Sequence, residues 1–342
     1  MFEVEHPVRD GPAARPRRRA VVMPRASRPR TTVDAQATEQ LIVVATAFYR
    51  HGRSQVEIAR DLRLDPSTVS RYLKRAREEG IVHVEIRPPR REHVDLGREL
   101  ATRFDLQRAI VVPGELVPDD ALYAVAADYI GSTLRTGQRL GISWGQTLAG
   151  VVRFLQPRSV SDLSISQLAG GLSDAEPGNQ CHELVRLLAQ LFPNSRVKYL
   201  HAPAIVDSEE IQAAMLSDHS VRAALEAAAR SEIALVGIGS MGDDATLMRV
   251  GHLAAADRVR IIRSGAVGTL NSRFFDALGR PVGHLEQRTI AISWEELAAI
   301  PLVVAIAAGA SKAGAIGGAL QAGCIDVLIT DEPTARLLVR DG

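Results

Sequence analysis

In the stretch LGISWGQTLAGVV, residues 140–152, a short apolar run containing Leu140 and Ile142 enters a turn through Gly141, Ser143, Trp144 and Gly145. After Thr147 the chain continues Leu-Ala-Gly-Val-Val, apolar at helical spacing. Strand, glycine-bearing turn and helix together suit a phosphate or a sugar. Glycine lets backbone N–H groups approach a ligand, and a helix N-terminus favours negative charge. The motif lacks the Gly-Lys-Ser/Thr of a P-loop, so it fits a monophosphate or sugar hydroxyls. Two readings stand open, an enzyme's catalytic loop and a ligand sensor.

Outward from this stretch, residues 93–342 alternate strands with helices. Strands are predicted at 109–112, 139–142, 163–167, 197–200, 233–238, 260–262, 302–306 and 326–329, and helices at 121–134, 182–191, 209–228 and 312–321. The alternation predicts an α/β domain, a mainly parallel sheet with helices on both faces. Ligands of such sheets bind beyond the carboxyl ends of the strands. Glycine-rich loops fall there at 141–145, 169–171, 237–242, 265–268 and 308–309, and predict one shared polar pocket.

VGIGSMG, residues 236–242, has G-x-G-x-x-G spacing, with Asp257 twenty residues beyond Gly237 as a dinucleotide site requires. Asp243 and Asp244 follow at once and would repel a pyrophosphate, so nicotinamide is not expected. Lys312, in AAGASKAGAI, opens a helix after a strand, where its ammonium either pairs with an anionic ligand group or is simply solvated. Cys181 and Cys324 have neither CxxC spacing nor a clustered histidine. No disulfide, metal or cofactor is expected, and both fit as small buried apolar residues.

The chain upstream is different in kind. Residues 1–92 carry 19 Lys+Arg against 12 Asp+Glu, whereas the rest of the 342 residues carries 22 against 28. A basic head on an acidic body fits a head that binds nucleic acid and a body that binds something else. Residues 1–37, with eight arginines between Arg9 and Arg30, are expected to be a disordered basic tail. Within residues 38–87, Leu41, Val44, Ala45 and Phe48 make a helical stripe over 38–50. Ser54 and Glu57 match the S-x-x-E capping box of a second helix, and Asp65-Pro66 can start a third that ends at Gly80.

Val69, Leu73 and Ala76 take the third helix's buried stripe, with Tyr72 beside them. Ser67, Thr68, Ser70, Arg71, Lys74 and Arg75 are left outside, and with Gln55 at the start of the second helix they form the expected DNA-contacting set. Residues 81–87 alternate like a wing strand, completing a winged helix-turn-helix whose partner is operator double-stranded DNA. A linker at 88–94 leads to the body at 95–342. No apolar run approaches the ~18 residues of a membrane span, and the acidic, proline-bearing N-terminus lacks a signal peptide's apolar region. A cytoplasmic protein without a membrane partner is expected.

The head followed by GISWGQTL, LVGIGS, GAVGTLNSRFFDALGRPV and VVAIAAGASKAGAIGGALQAGCIDVLITDEPTARLL resembles the SorC-type family of sugar-responsive bacterial transcription regulators, over about residues 38–340. The resemblance implies a Rossmann-like effector domain similar to sugar-phosphate isomerases and deaminases. It also implies a sugar, sugar-phosphate or polyol effector, assembly as a homo-oligomer (dimer or tetramer), and control of a carbohydrate or polyol operon, by repression in the family's usual mode. Implied pocket walls are Ser143, Trp144, Gly145, Gln146 and Thr147, with Gly170, Gly171, Gly237, Gly239, Asp276 and Lys312. Ala308, Thr269 and Ser272 depart from the family pattern, which often has glycine, aspartate and glycine there. The rival is a sugar-phosphate isomerase or deaminase with an accessory head, whose acid–base group would be Asp276, Asp331, Glu332 or His182. The expectation is a protein that is not an enzyme, because the head already gives a bound ligand something to control.

Overall fold

The computed structural model describes residues 32–82, 92–114, 119–156, 159–172, 180–242, 247 and 253–340. The chain divides into two compact units, residues 1–86 and 87–342.

In the first unit, α1 (Thr32–Ala45) passes into one π-helical turn (Thr46–Arg50), followed by α2 (Gln55–Leu62) and α3 (Pro66–Glu78). α1 starts earlier than the predicted 38, because nothing after Pro29 interrupts the helix-compatible run Thr-Val-Asp-Ala-Gln-Ala. The capping box forms: Glu57 N donates to Ser54 Oγ at 3.3 Å, and Ser54 N donates to Glu57 Oε2 at 2.8 Å. That backbone hydrogen bond holds the Glu57 carboxyl below its usual range. Arg63 turns the chain in the left-handed region, φ 53°. Asp65 occupies the N-cap of α3, but its carboxylate makes no cap bond; its carbonyl accepts from Thr68 N and Val69 N. Val44, Ile58, Ala59, Val69 and Leu73 form the core, and Ala76 packs with Leu41 and Ala45. Of the predicted wing, Ile81 and Val82 pack on that second cluster. Its remainder, residues 1–31 of the expected tail and linker residues 88–91 lie outside the described residues; residues 32–37, expected to belong to the disordered tail, are instead part of α1.

In chain order the second unit comprises α4 (Val94–Arg103), β1 (Arg108–Val112), α5 (Asp119–Thr133), β2 (Arg139–Ile142), α6 (Gln146–Phe154), β3 (Ser164–Gln167), α7 (Cys181–Leu191) and β4 (Arg196–Lys198). It continues with α8 (Glu209–Ser217), α9 (His219–Ala229), β5 (Ile233–Ser240), α10 (Ala255–Arg263), β6 (Gly268–Leu270), β7 (Arg273–Phe275), α11 (Trp294–Ala298), β8 (Val303–Ile306), α12 (Ala313–Gln321), β9 (Val327–Asp331) and α13 (Glu332–Arg340).

Seven strands pair in parallel in the order β1-β9-β8-β5-β2-β3-β4. Alternate side chains serve two cores. Ile233 and Leu235 join the cluster with α5, α6 and α7, whereas Ala234 and Val236 join that with α4, α12 and α13. Burial on both faces explains why these strands read as apolar runs. β3 and β4 extend to one side of β2, and β5, β8 and β9 to the other. The chain's direction of progress therefore reverses between β2 and β5. Among the described residues no helix is long and apolar enough to cross a membrane.

Two expectations in this unit are corrected, and one element is new. Residues 260–262 are helical, in α10, where Ile261 is buried on one face while Val259 and Ile262 face solvent, so the short Ile-Ile stretch is not a buried strand. The predicted helix 209–228 is two, broken at Asp218, which leaves the helical region and caps α9 by accepting from Ser220 N at 2.8 Å and Val221 N at 3.2 Å. A hairpin, β6–β7, was not predicted; it pairs antiparallel with the last residues of β5.

Candidate functional site

A cavity of about 540 Å³ opens at the carboxyl ends of β2, β5 and β8, where the strand order reverses. Its first wall is the β2–α6 turn. Ser143 N donates to Leu235 O at 3.0 Å, tying the turn to β5, and Cys181 Sγ donates to Ile142 O at 3.2 Å from beneath. Gly145 caps α6 at φ 136°, a conformation that favours glycine, and aims the helix N-terminus at the cavity. The second wall is the end of β5. A Cβ at Gly239 would collide with the Thr269 hydroxyl, so the absence of a side chain there makes room for the hairpin. The hairpin itself supplies Thr269, Asn271 and Ser272, and the loop before α12 supplies Ser311 and Lys312.

Ser143, Trp144, Gly145, Gln146, Thr147, Gly237, Gly239 and Lys312 are thus brought to one cavity. Three of the residues assigned to the pocket from sequence are not. Gly170 packs against the backbone of Ala202 and Pro203, which leaves no room for a side chain. Gly171 lines a separate groove with Gln167, His182, Arg186 and Tyr199. Asp276 braces its own turn: Oδ1 accepts from Leu278 N and Arg280 N at 2.9 Å, and Oδ2 from Arg280 Nε at 2.8 Å. The Arg280 guanidinium holds its carboxyl below the usual range. Sequence reasoning missed Ser240, Asn271 and Ser311; a polar residue in a loop carries no local signal of which cavity it faces.

Of the other acid–base candidates, His182 lines the separate groove beside Gly171, and the two carboxylates are engaged elsewhere. Asp331 accepts from Thr334 N at 3.3 Å and Gly309 N at 3.4 Å. Glu332 accepts from Gly114 N at 3.0 Å, the main cause of its lowered pKa, and pairs with Arg336. The G-x-G-x-x-G stretch departs from a dinucleotide loop, since Gly239 and Ser240 remain in β5, paired with β6. Asp257, its presumptive ribose ligand, is buried against His284 Nε2 at 2.5 Å and Arg288 Nη1 at 2.9 Å. Burial raises the Asp257 pKa, but these two partners outweigh it and hold the carboxyl low. A depressed folded pKa contributes stability above the unfolded value of ~3.9, lost as pH falls through the folded value. Urea unfolding between pH 7 and pH 3 is therefore expected to show a shallower acid loss in Asp257→Asn than in the wild type. Parallel profiles would remove this carboxylate from the acid limb.

On α3, Ser67, Ser70, Arg71, Lys74 and Arg75 are exposed, and Thr68 is half-buried, as is Gln55 on α2. Arg71 Nη2 lies 3.4 Å from Thr68 Oγ1. Lys74 and Arg75 pair with Glu78 and Glu79 at 3.7 and 2.5 Å, exposed ion pairs that cost little to exchange for phosphate. Side chains of this type, on the helix that follows the turn, suit a major groove.

A helix-turn-helix with this basic face, joined to a parallel α/β domain with a polar cavity at its switch point, defines a DNA-binding transcriptional regulator controlled by a small effector. The winged helix-turn helix family matches residues 48–96, and the sugar-binding domain family, Sugar-bind, matches residues 89–340. The chain belongs to the SorC-type family of sugar-binding transcriptional regulators. It is 31% identical over 315 residues to the deoxyribonucleoside regulator of Bacillus subtilis, covering 90% of this chain and 100% of that one. The full-length sorbitol operon regulator SorC of Klebsiella pneumoniae superposes with a TM-score of 0.66 at 26% identity, covering 89% and 100% of the two chains. A domain of a transcriptional repressor from Vibrio fischeri gives 0.64 at 27% identity, covering 72% and 98%.

Proposed function

We propose that this protein is a cytoplasmic, homo-oligomeric repressor of a carbohydrate or polyol catabolic operon, released from its operator by a phosphorylated sugar or polyol, and that it has no catalytic activity. The cavity carries the proposal. Among its described lining residues Lys312 is the one charged side chain, surrounded by Ser143, Gln146, Thr147, Ser240, Thr269, Asn271, Ser272 and Ser311. An ammonium and the N-termini of α6 and α12 favour an anion, and the hydroxyl and amide groups favour a polyhydroxylated body. Strand progression on both sides of β2 supports a Rossmann-like reading of the domain. Engagement of Asp276, Asp331 and Glu332 in backbone hydrogen bonds away from the cavity supports a sensor over an isomerase. Similarity to a repressor's domain supports repression.

Effector action requires differential affinity: the ligand must favour one arrangement of the oligomer, and the operator then alters ligand affinity by the same factor. Thermal denaturation of the full chain, screened over sugars, polyols and their phosphates, is expected to show stabilisation by phosphorylated compounds. The stabilising compound should weaken binding to an operator fragment selected from random-sequence DNA. Stabilisation by unphosphorylated compounds alone would overturn the anionic reading, and turnover of the ligand the non-catalytic one. Arg71→Ala is expected to weaken operator binding by about 1–3 kcal/mol while leaving the thermal shift intact. Loss of both together would count against separate roles for the two units.

A further inference from the structure

The geometry points to Ser272 as a positioning residue that holds Trp144 as a wall of the effector cavity and so sets which sugars fit. The specificity part rests on the proposed effector site; the positioning part does not. Asn271 (φ 49°) and Ser272 (φ 67°) form the two-residue turn between β6 and β7, in which both residues take positive φ. Asparagine tolerates that region, and the second place ordinarily goes to glycine. A serine kept there works against its own backbone preference, which calls for a compensating role.

Its side chain supplies one. Ser272 is 2% exposed, and its Oγ accepts from Trp144 Nε1 at 3.2 Å. Both residues line the cavity. Trp144 packs at once against the sheet's α5–α6–α7 core and against the smaller cluster that includes Leu172, Leu247, Phe274 and Leu285. A half-buried indole has one N–H to satisfy, and here the partner is the hairpin's serine. Hairpin and β2–α6 turn are thereby latched across the cavity, fixing its width on the indole side. Asn271 secures the other end of the turn by donating from Nδ2 to Leu168 O at 3.2 Å. Glycine at 272 would relax the backbone but release the indole.

The chain has two tryptophans, Trp144 and Trp294, so the full-length protein labelled with 5-fluorotryptophan gives two fluorine resonances, assigned by Trp144→Phe. In Ser272→Gly the Trp144 resonance is expected to move and sharpen while that of Trp294 stays in place, with no fall in melting temperature, because glycine accepts φ 67° freely. Ser272→Ala is expected to move the same resonance with a lower melting temperature; should it fail to fold, the glycine variant decides alone. An unmoved Trp144 resonance in Ser272→Gly overturns the positioning role. Glucose 6-phosphate, ribose 5-phosphate and sorbitol 6-phosphate serve as binding probes. Their relative affinities are expected to change by about tenfold in Ser272→Gly, equivalent to ~1.4 kcal/mol, and unchanged ratios would overturn the specificity role. Failure of the wild type to bind any of the three would overturn the effector reading and with it the specificity role, while the fluorine spectra still judge the positioning.

Discussion

Arg273→Ala is expected to lower the stability of the effector domain by about 2–4 kcal/mol, chiefly by stripping the donors from two buried carbonyls, each costing about 1–3 kcal/mol when left unpaired. Arg273 is 8% exposed. Its Nε donates to Ile292 O at 2.8 Å, its Nη2 to Ala291 O at 2.9 Å, and its Nη1 pairs with Glu286. The side chain therefore ties β7 to the segment 286–292, which itself pairs with residues 169 and 205. Truncation leaves two buried carbonyls without donors and a carboxylate without its cation. Urea unfolding of the full chain should show the effector-domain transition moved to lower denaturant, with the head's own transition unmoved. Arg273→Lys should recover only part of the loss, since an ammonium cannot reproduce a planar fork. A change below about 1 kcal/mol would mean that solvent replaces all three partners.

Lys312→Met should reduce affinity for a phosphorylated effector by about 10- to 100-fold, the loss of one charge-assisted hydrogen bond worth roughly 1.5–3 kcal/mol. Methionine keeps the length and apolar stem of the side chain and removes only the charge. Lys312 stands at the entry to α12, where Lys312 N donates to Gly309 O at 2.8 Å and Gly309 takes φ 106°. Nothing in that turn depends on the ammonium, so folding should be preserved. Calorimetry with the stabilising compound from the thermal screen measures the change. An affinity equal to wild type would place the ligand's anionic group elsewhere, and an affinity for the dephosphorylated compound that rises in the variant would confirm that Lys312 selects charge.

Features whose cause is local were legible before the fold was known. Ser54 and Glu57 cap α2 through atoms three residues apart, and β2 matches its predicted span because its apolar run is buried on both faces. The β2–α6 turn, Gly237, Gly239 and Lys312, implied as pocket walls by the family resemblance, do line the cavity; spacing alone left Lys312 open between a ligand partner and a solvated lysine. Gly170 carries the same sequence signal for a different reason, the close approach of the 202–203 backbone. Asp276 is consumed by a neighbour four residues on, Arg280. The β6–β7 hairpin escaped for two physical reasons. All six of its strand residues are buried, which erases the alternation that marks a half-exposed strand, and its turn is Asn-Ser in place of Asn-Gly.

β1 pairs only with β9 among the described strands, from Arg108↔Val327 to Val112↔Asp331. The edge that opens the effector domain is thus completed by the last of the described strands, about two hundred residues later. Among the described residues the core clusters of the head's three helices are built from residues 41–82, so on the ribosome the head can close while the rest is still being made. β1 must wait until β9 has been synthesised. A nascent or truncated chain lacking β9 would carry a closed DNA-binding head beside an effector domain whose first strand has no partner, so the two units become complete at different points in synthesis.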